Sequence, residues 1–169
     1  MKSKYIQTYM DIAERWAQES SAIKLKVGAV IVSGDAMVVG YNGTPEGWDN
    51  VCENKIWMDQ DAGPYFSVGE IEERWPYVEY CGEFTDIPVR YYLKTKDETL
   101  HAEMNAISKL AKSTLSGVGA VLFCTHNPCI NCAKAIYQAG IREVYYKNDY
   151  RLDEGVHFLE KAGVKIIKI

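Results

Sequence analysis

His101-Ala102-Glu103 and Pro128-Cys129-Ile130-Asn131-Cys132 are the two segments best equipped for chemistry. Two thiolates and one imidazole make a good ligand set for zinc. Three protein ligands leave a fourth position open, as a catalytic rather than a structural site requires. Cys129 and Cys132 are three apart, which in the first turn of a helix turns both sulfurs to one side. Asn127 is expected to cap that helix and Pro128 to be its first residue. The positive end of the helix then favours thiolates. His101 and Glu103 are two apart, a poor fit to one face of a regular helix. At a helix start approached end-on, both reach one pocket. His101 then binds the metal, while Glu103 stays off it and moves protons from a water that zinc makes acidic near neutral pH. Taken singly, a Cys-x-x-Cys can be a redox pair and a lone histidine a structural residue. The two motifs together favour the metal.

These residues must be positioned by the surrounding elements. Apolar residues recur at helical spacing over 3–19. Val27–Val32 and Met37–Tyr41 read as strands joined by Ser33-Gly34-Asp35, a hairpin signal. A helix is predicted over about 101–113, with Ala102, Ala106, Ile107, Leu110 and Ala111 on one face. A strand is predicted over 119–125 and a helix over about 128–139, stopped by Gly140. A strand at 142–146, a helix at 152–162 and a last strand at 164–169 follow. Strands alternating with helices imply crossover connections and a sheet covered on both faces.

Residues 45–98 interrupt this pattern. They hold Trp48, Trp57 and Trp75, four of the five prolines and no clear period, apart from a short helix expected within Glu70–Tyr80. A structureless loop of that length is unusual unless it is functional, so it reads as an insertion forming a lid or a subunit contact. The 169 residues are expected to form one domain with this insertion.

The formal net charge is −4, from 19 Lys plus Arg against 23 Asp plus Glu. A chain that grips a nucleic-acid polymer usually shows a basic excess, so a mononucleotide or other small substrate fits better. The N-terminal sequence has no secretory apolar stretch, and no run approaches the roughly 20 apolar residues of a membrane span. A cytoplasmic protein with reduced thiols is expected, in the host cytoplasm for a phage member.

HAEMNAI at 101–107 and PCINCAKAIYQAGI at 128–141 resemble the zinc-dependent cytidine deaminase superfamily. VGAVIV at 27–32 and GYNGTPEGWDN at 40–50 narrow the resemblance to deoxycytidylate (dCMP) deaminases. The resemblance implies a three-layer α/β/α sandwich around a five-stranded mixed sheet, with the insertion after the second strand. It implies hydrolytic deamination of dCMP to dUMP and ammonia, supplying thymidylate synthesis. His101, Cys129 and Cys132 become the zinc ligands. Glu103 becomes the shuttle that protonates N3 and then the departing amine, as zinc hydroxide attacks C4. Ala102 and Thr125 to Pro128, including His126 and Asn127, would line the base pocket, and Asn42 would contact the sugar. Family members are commonly homo-hexamers, activated by dCTP and inhibited by dTTP, with Mg²⁺ accompanying the effector. The turn Gly40-Tyr41-Asn42-Gly43 is associated with that effector site, though Gly and Asn also suit a tight turn for its own sake.

Other residues carry two readings. His126 suits a phosphate or a partly exposed loop. Tyr150 suits stacking or hydrogen bonding near the substrate, or packing. Lys24, Lys26, Lys112, Arg142 and Arg151 are phosphate candidates that, singly, also fit a solvated surface. Some phage members hold a second zinc in the insertion. Residues 45–98 contain no histidine here, and Cys52 and Cys81 read as buried thiols. Two other functions use the same motifs: deamination of another cytosine or adenine substrate, as nucleoside or nucleic acid, and a structural zinc module for protein contacts.

Overall fold

The computed structural model describes residues 3–58, 66–80, 88–150 and 152–169. Cys81 and Arg151 lie outside the described residues. The chain divides into two compact units. One is formed by residues up to Val51 together with Glu98–Ile169, the other by Cys52–Asp97.

The larger unit is built on a five-stranded mixed sheet. In chain order its elements are α1 (Ser3–Ala17), β1 (Gly28–Ser33), β2 (Ala36–Tyr41), α3 (Ala102–Ala111), β6 (Val121–His126), α4 (Ile130–Gln138), β7 (Glu143–Asn148), α5 (Glu154–Lys161) and β8 (Lys165–Lys168). The strand order is β2-β1-β6-β7-β8. β1 runs antiparallel to both β2 and β6, whereas β6, β7 and β8 are parallel. The expected hairpin forms, but Ser33 pairs with Ala36, so the turn is the two residues Gly34-Asp35 rather than Ser33-Gly34-Asp35. The parallel strands are joined through α4 and α5, the crossovers that parallel pairing demands.

Alternation along the strands separates two cores. Ala29 and Ile31 of β1, Leu122 and Cys124 of β6 and Val144 of β7 pack with Ala102, Ala106 and Leu110 of α3, Ala133 and Ile136 of α4 and Leu159 of α5. Val30, Val32, Phe123 and Tyr145, on the other face, pack with Met10 and Ala13 of α1. One helix on one face and three on the other make the α/β/α sandwich. Ala111 is exposed at the end of α3, so the apolar face of that helix stops at Leu110.

The smaller unit contains β3 (Glu53–Trp57), α2 (Val68–Arg74), β4 (Tyr77–Tyr80) and β5 (Pro88–Thr95). Its strands form an antiparallel sheet in the order β3-β5-β4. The expected helix within Glu70–Tyr80 is displaced. It begins earlier, because Ser67 and Glu70 form a reciprocal capping box. It ends before Pro76, whose predecessor is disfavoured in helical conformation. The alternation of Tyr77–Tyr80 then continues as strand. Tyr91 packs between Trp57 and Tyr77, with ring centroids 5.0 and 5.4 Å away. Cross-strand aromatics thus pack side by side on this sheet, with Trp57 still exposed.

Candidate active site

The metal-binding side chains come from the starts of two helices on the same side of the sheet. His101 is the N-cap of α3, with ψ 151°, and Cys129 is the N-cap of α4, with ψ 167°. An N-cap side chain ordinarily accepts a hydrogen bond from the exposed backbone N–H groups of its own helix. Neither His101 nor Cys129 does so, which leaves both for another partner. The extended conformation of His101 resolves the awkward spacing to Glu103. His101 stands outside the helix, and Glu103 occupies its second residue.

The start of α4 differs from the sequence expectation. Asn127 does not cap it, and Pro128 is not its first residue. Cys129 is the cap, and the helix begins at Ile130. The Asn127 amide is used elsewhere: it accepts from the Tyr150 N–H and donates to Leu152 O at 3.3 Å.

His101 Nδ1 lies 3.6 Å from Cys129 Sγ and 3.4 Å from Cys132 Sγ. All three ligand atoms fall within 4.8 Å of one another. Tetrahedral zinc at ordinary Zn–S and Zn–N lengths separates a sulfur from a nitrogen by about 3.5 Å, so the donor set fits zinc in chemistry and in spacing. Among the described residues this is the only such cluster of three or more potential ligands.

The electrostatics match that role. The hydrogen bond from the Cys132 thiol pulls Cys129 down to about 3, against the cost of burial and with help from His101. The hydrogen bond to Cys129 holds His101 above its ordinary range. The Cys132 thiol is itself pushed up, first by its hydrogen bond to Cys129 and then by burial. Burial also raises the Glu103 carboxyl, with His101 and Cys132 pulling the other way. Glu103 is only 4% exposed, a carboxyl shielded from bulk water.

Ala102 is fully buried. Its carbonyl oxygen would lie 2.3 Å from a Cβ placed on Gly40 of β2. The first turn of α3 therefore rests directly on strand backbone, which explains Gly40 by packing. Gly43 and Leu100 exchange backbone hydrogen bonds of 3.1 and 2.8 Å, holding the chain just before His101. Asn105 donates to Tyr41 O at 2.7 Å. Asn42 accepts from Val27 N–H and donates to Leu25 O, both at 2.8 Å, so its amide pins the chain entering β1.

Thr125 is buried, accepts from Gly28 N–H at 3.2 Å and lies 3.1 Å from His126 Nδ1. His126 is half-buried, and burial lowers its affinity for a proton. Tyr150 is exposed and tethered by its backbone to Asn127. Cys124 is a core thiol, Cys52 is buried, and His157 faces solvent.

Tyr41 and Gly43 line a cavity of about 640 Å³ with Trp48, Asn105, Lys109 and Lys112. Tyr41 stacks on Trp16, with centroids 6.1 Å apart. Of the other phosphate candidates, Lys26 Nζ donates to Gln18 O at 3.4 Å, and Arg142 covers the Tyr137 ring.

Sequence reasoning missed Asn105, Asn148 and Gly155. Asn148 donates to Thr125 O at 2.9 Å, and Gly155 is buried against the Pro128–Cys129 backbone. Gly155 had one readable signal, a glycine in the first turn of a helix, where only close packing favours it.

Comparison with known proteins agrees with this architecture. The deoxycytidylate deaminase of Enterobacteria phage T4 is 32% identical over 182 residues, covering 96% of this chain and 88% of that protein. ComE operon protein 2 of Bacillus subtilis is also 32% identical, covering 96% of this chain and 70% of that one. The crystal structure of dCMP deaminase from the cyanophage S-TIM5, in complex with dCMP and dUMP, superposes with a TM-score of 0.74 at 34% identity, over 100% of this chain and 99% of that one. Residues 3–148 match the model of the cytidine and deoxycytidylate deaminase zinc-binding region. With its ligands gathered at two helix starts and the match spanning most of its length, the chain belongs to the cytidine and deoxycytidylate deaminase family.

Proposed function

We infer that this chain hydrolyses dCMP to dUMP and ammonia. The observation that carries the reading is the His101–Cys129–Cys132 cluster with the buried Glu103 beside it, in a chain similar along its length to deoxycytidylate deaminases of phage and other sources. Residues 1–169 are read as one deaminase domain carrying an insertion, acting in the cytoplasm and supplying thymidylate synthesis.

His101, Cys129 and Cys132 would hold zinc, which would supply Lewis acidity toward a substrate water. Glu103 takes a proton from the attacking water and delivers it to N3 of the pyrimidine. The new C–O bond forms at C4. Glu103 then carries the second water proton to the exocyclic nitrogen, the C4–N4 bond breaks and ammonia leaves. The raised Glu103 carboxyl suits both halves of this task, since a shuttle works best with its proton affinity near the working pH.

Ala102, Thr125, His126 and Asn127 line the base pocket in this reading, Asn42 serves the sugar and Tyr150 stacks on or hydrogen-bonds near the substrate. His126, whose affinity for a proton burial lowers, stands with Nδ1 3.1 Å from the Thr125 hydroxyl. The segment Gly40 to Gly43 serves effector control, dCTP activating and dTTP inhibiting with Mg²⁺, in a homo-hexamer. The cavity at Tyr41 and Gly43 supports this with the aromatic walls Tyr41 and Trp48 and with Lys112, while Glu19 and Glu46 also line it and Lys109 donates to Val39 O at 2.9 Å. Ammonia release from dCMP, measured with and without dCTP and Mg²⁺, tests the reading. Turnover raised by dCTP is expected; turnover of cytidine or single-stranded oligonucleotides but not dCMP overturns it.

A further inference from the structure

The loop that delivers Cys129 is gripped from one side by the segment following β7. Gly155, in the first turn of α5, is buried. A Cβ there would stand 2.0 Å from Pro128 O and 2.9 Å from the carbonyl carbons of Pro128 and Cys129. These are backbone atoms next to a ligand, with no flexible side-chain end to swing aside. Pro128 is itself fully buried, so a displaced peptide has no free space behind it.

The residue before Pro128 is held as firmly. Asn127 is 3% exposed. Its Oδ1 accepts from Tyr150 N–H, and its Nδ2 donates to Leu152 O at 3.3 Å and Asp153 Oδ1 at 3.4 Å. Its backbone N–H donates to Asn148 O at 3.0 Å, and Asn148 Nδ2 donates back to Thr125 O at 2.9 Å. Residues 125–129 are thus fixed by 148–150 and 152–155 at successive points, none of which uses the side chain of His101, Cys129 or Cys132.

We propose that Gly155 and Asn127 are positioning residues for the metal: together they set where Cys129 stands relative to His101, and so the affinity and geometry of zinc. The inference rests on reading the His101–Cys129–Cys132 cluster as a zinc site. Groups behind metal ligands commonly change affinity by about 10- to 100-fold when altered. Gly117 supplies an internal control. A Cβ on Gly117 would stand 2.2 Å from Ala139 O, at the opposite end of α4. Gly117→Ala makes a comparable collision with the same helix, away from the ligands.

The test uses the full chain loaded with zinc, with chelator-driven release followed by a zinc indicator and the Co²⁺-substituted absorption spectrum recorded in parallel. Zinc release about tenfold faster or more and shifted Co²⁺ bands are expected for Gly155→Ala, with Gly117→Ala matching the unaltered protein. Equal release and superimposable spectra for the two glycine variants overturn the proposal. If Gly155→Ala fails to fold, Asn127→Ala, which removes the clamp without a collision, decides by the same readouts. Faster release supports the proposal, and release at the unaltered rate overturns it. An unaltered protein that takes up no zinc overturns the site reading itself, a result separable from variants that hold zinc alike.

Discussion

Cys132 Sγ lies 3.4 Å from His101 Nδ1 across 31 residues of sequence. Two helix starts, each seated on its own part of the fold, bring them there. Replacing Cys132 by Ser is expected to abolish stoichiometric zinc and deamination together. Metal analysis of the purified variant beside an activity assay checks this. Full zinc retention would remove Cys132 from the ligand set.

Glu103 occupies the second residue of α3 and is buried without being counted among the three ligands. Glu103→Gln is expected to lower kcat by roughly 10²- to 10⁴-fold while zinc content stays at the unaltered level. Loss of zinc in parallel with activity would instead make Glu103 a ligand.

Asn42 satisfies Val27 N–H and Leu25 O with one side chain. Asn42→Ala leaves both backbone groups unpaired and is expected to cost about 1–3 kcal/mol of stability. Urea unfolding measures this. An unchanged midpoint would show that the amide is held in reserve for substrate alone.

Glu143 accepts from Lys165 Nζ at 2.6 Å and from the Tyr145 hydroxyl at 2.7 Å. The Lys165 hydrogen bond is the main reason its carboxyl is held below the ordinary range, with burial opposing. A depressed folded pKa stabilises the fold above the unfolded carboxylate range, and that stability is lost as pH falls through the folded value. Glu143→Gln is therefore expected to narrow the difference in Tm between neutral pH and the acid side of that range. Thermal melts of the two proteins across that range decide it; parallel curves would deny the pair any role.

Lys112 lines the cavity beside Tyr41 and Trp48. Lys112→Glu puts a like charge where a triphosphate is expected and should raise the dCTP concentration needed for half-activation. A titration of activity with dCTP and Mg²⁺ measures it. An unmoved midpoint would place the effector elsewhere.

The strands and helices around the metal were legible because their signals are local. Val27–Val32 alternates between two buried faces, and α4 carries Cys132, Ala133 and Ile136 at helical spacing. The His101–Cys129–Cys132 cluster was legible because the two motifs together have few other uses, though each alone has several. Asn127 was misread because the usual preference of asparagine for a cap competes with a longer-range demand. Its partners, Tyr150, Leu152 and Asp153, lie more than twenty residues away. Gly155 signalled close packing but not its partner: its neighbour is the backbone of Pro128, which no periodicity can reveal. In Cys52–Asp97 the aromatics gave no long period because, among the described residues, three short antiparallel strands and a two-turn helix share them.

The paired hydrogen bonds between Gly43 and Leu100 have a further consequence. Both residues belong to the larger unit, and the chain is tied to itself there one residue before His101. Past the cavity wall that ends at Asn50, a change of length costs little closure entropy, and the bridge keeps that cost away from the start of α3.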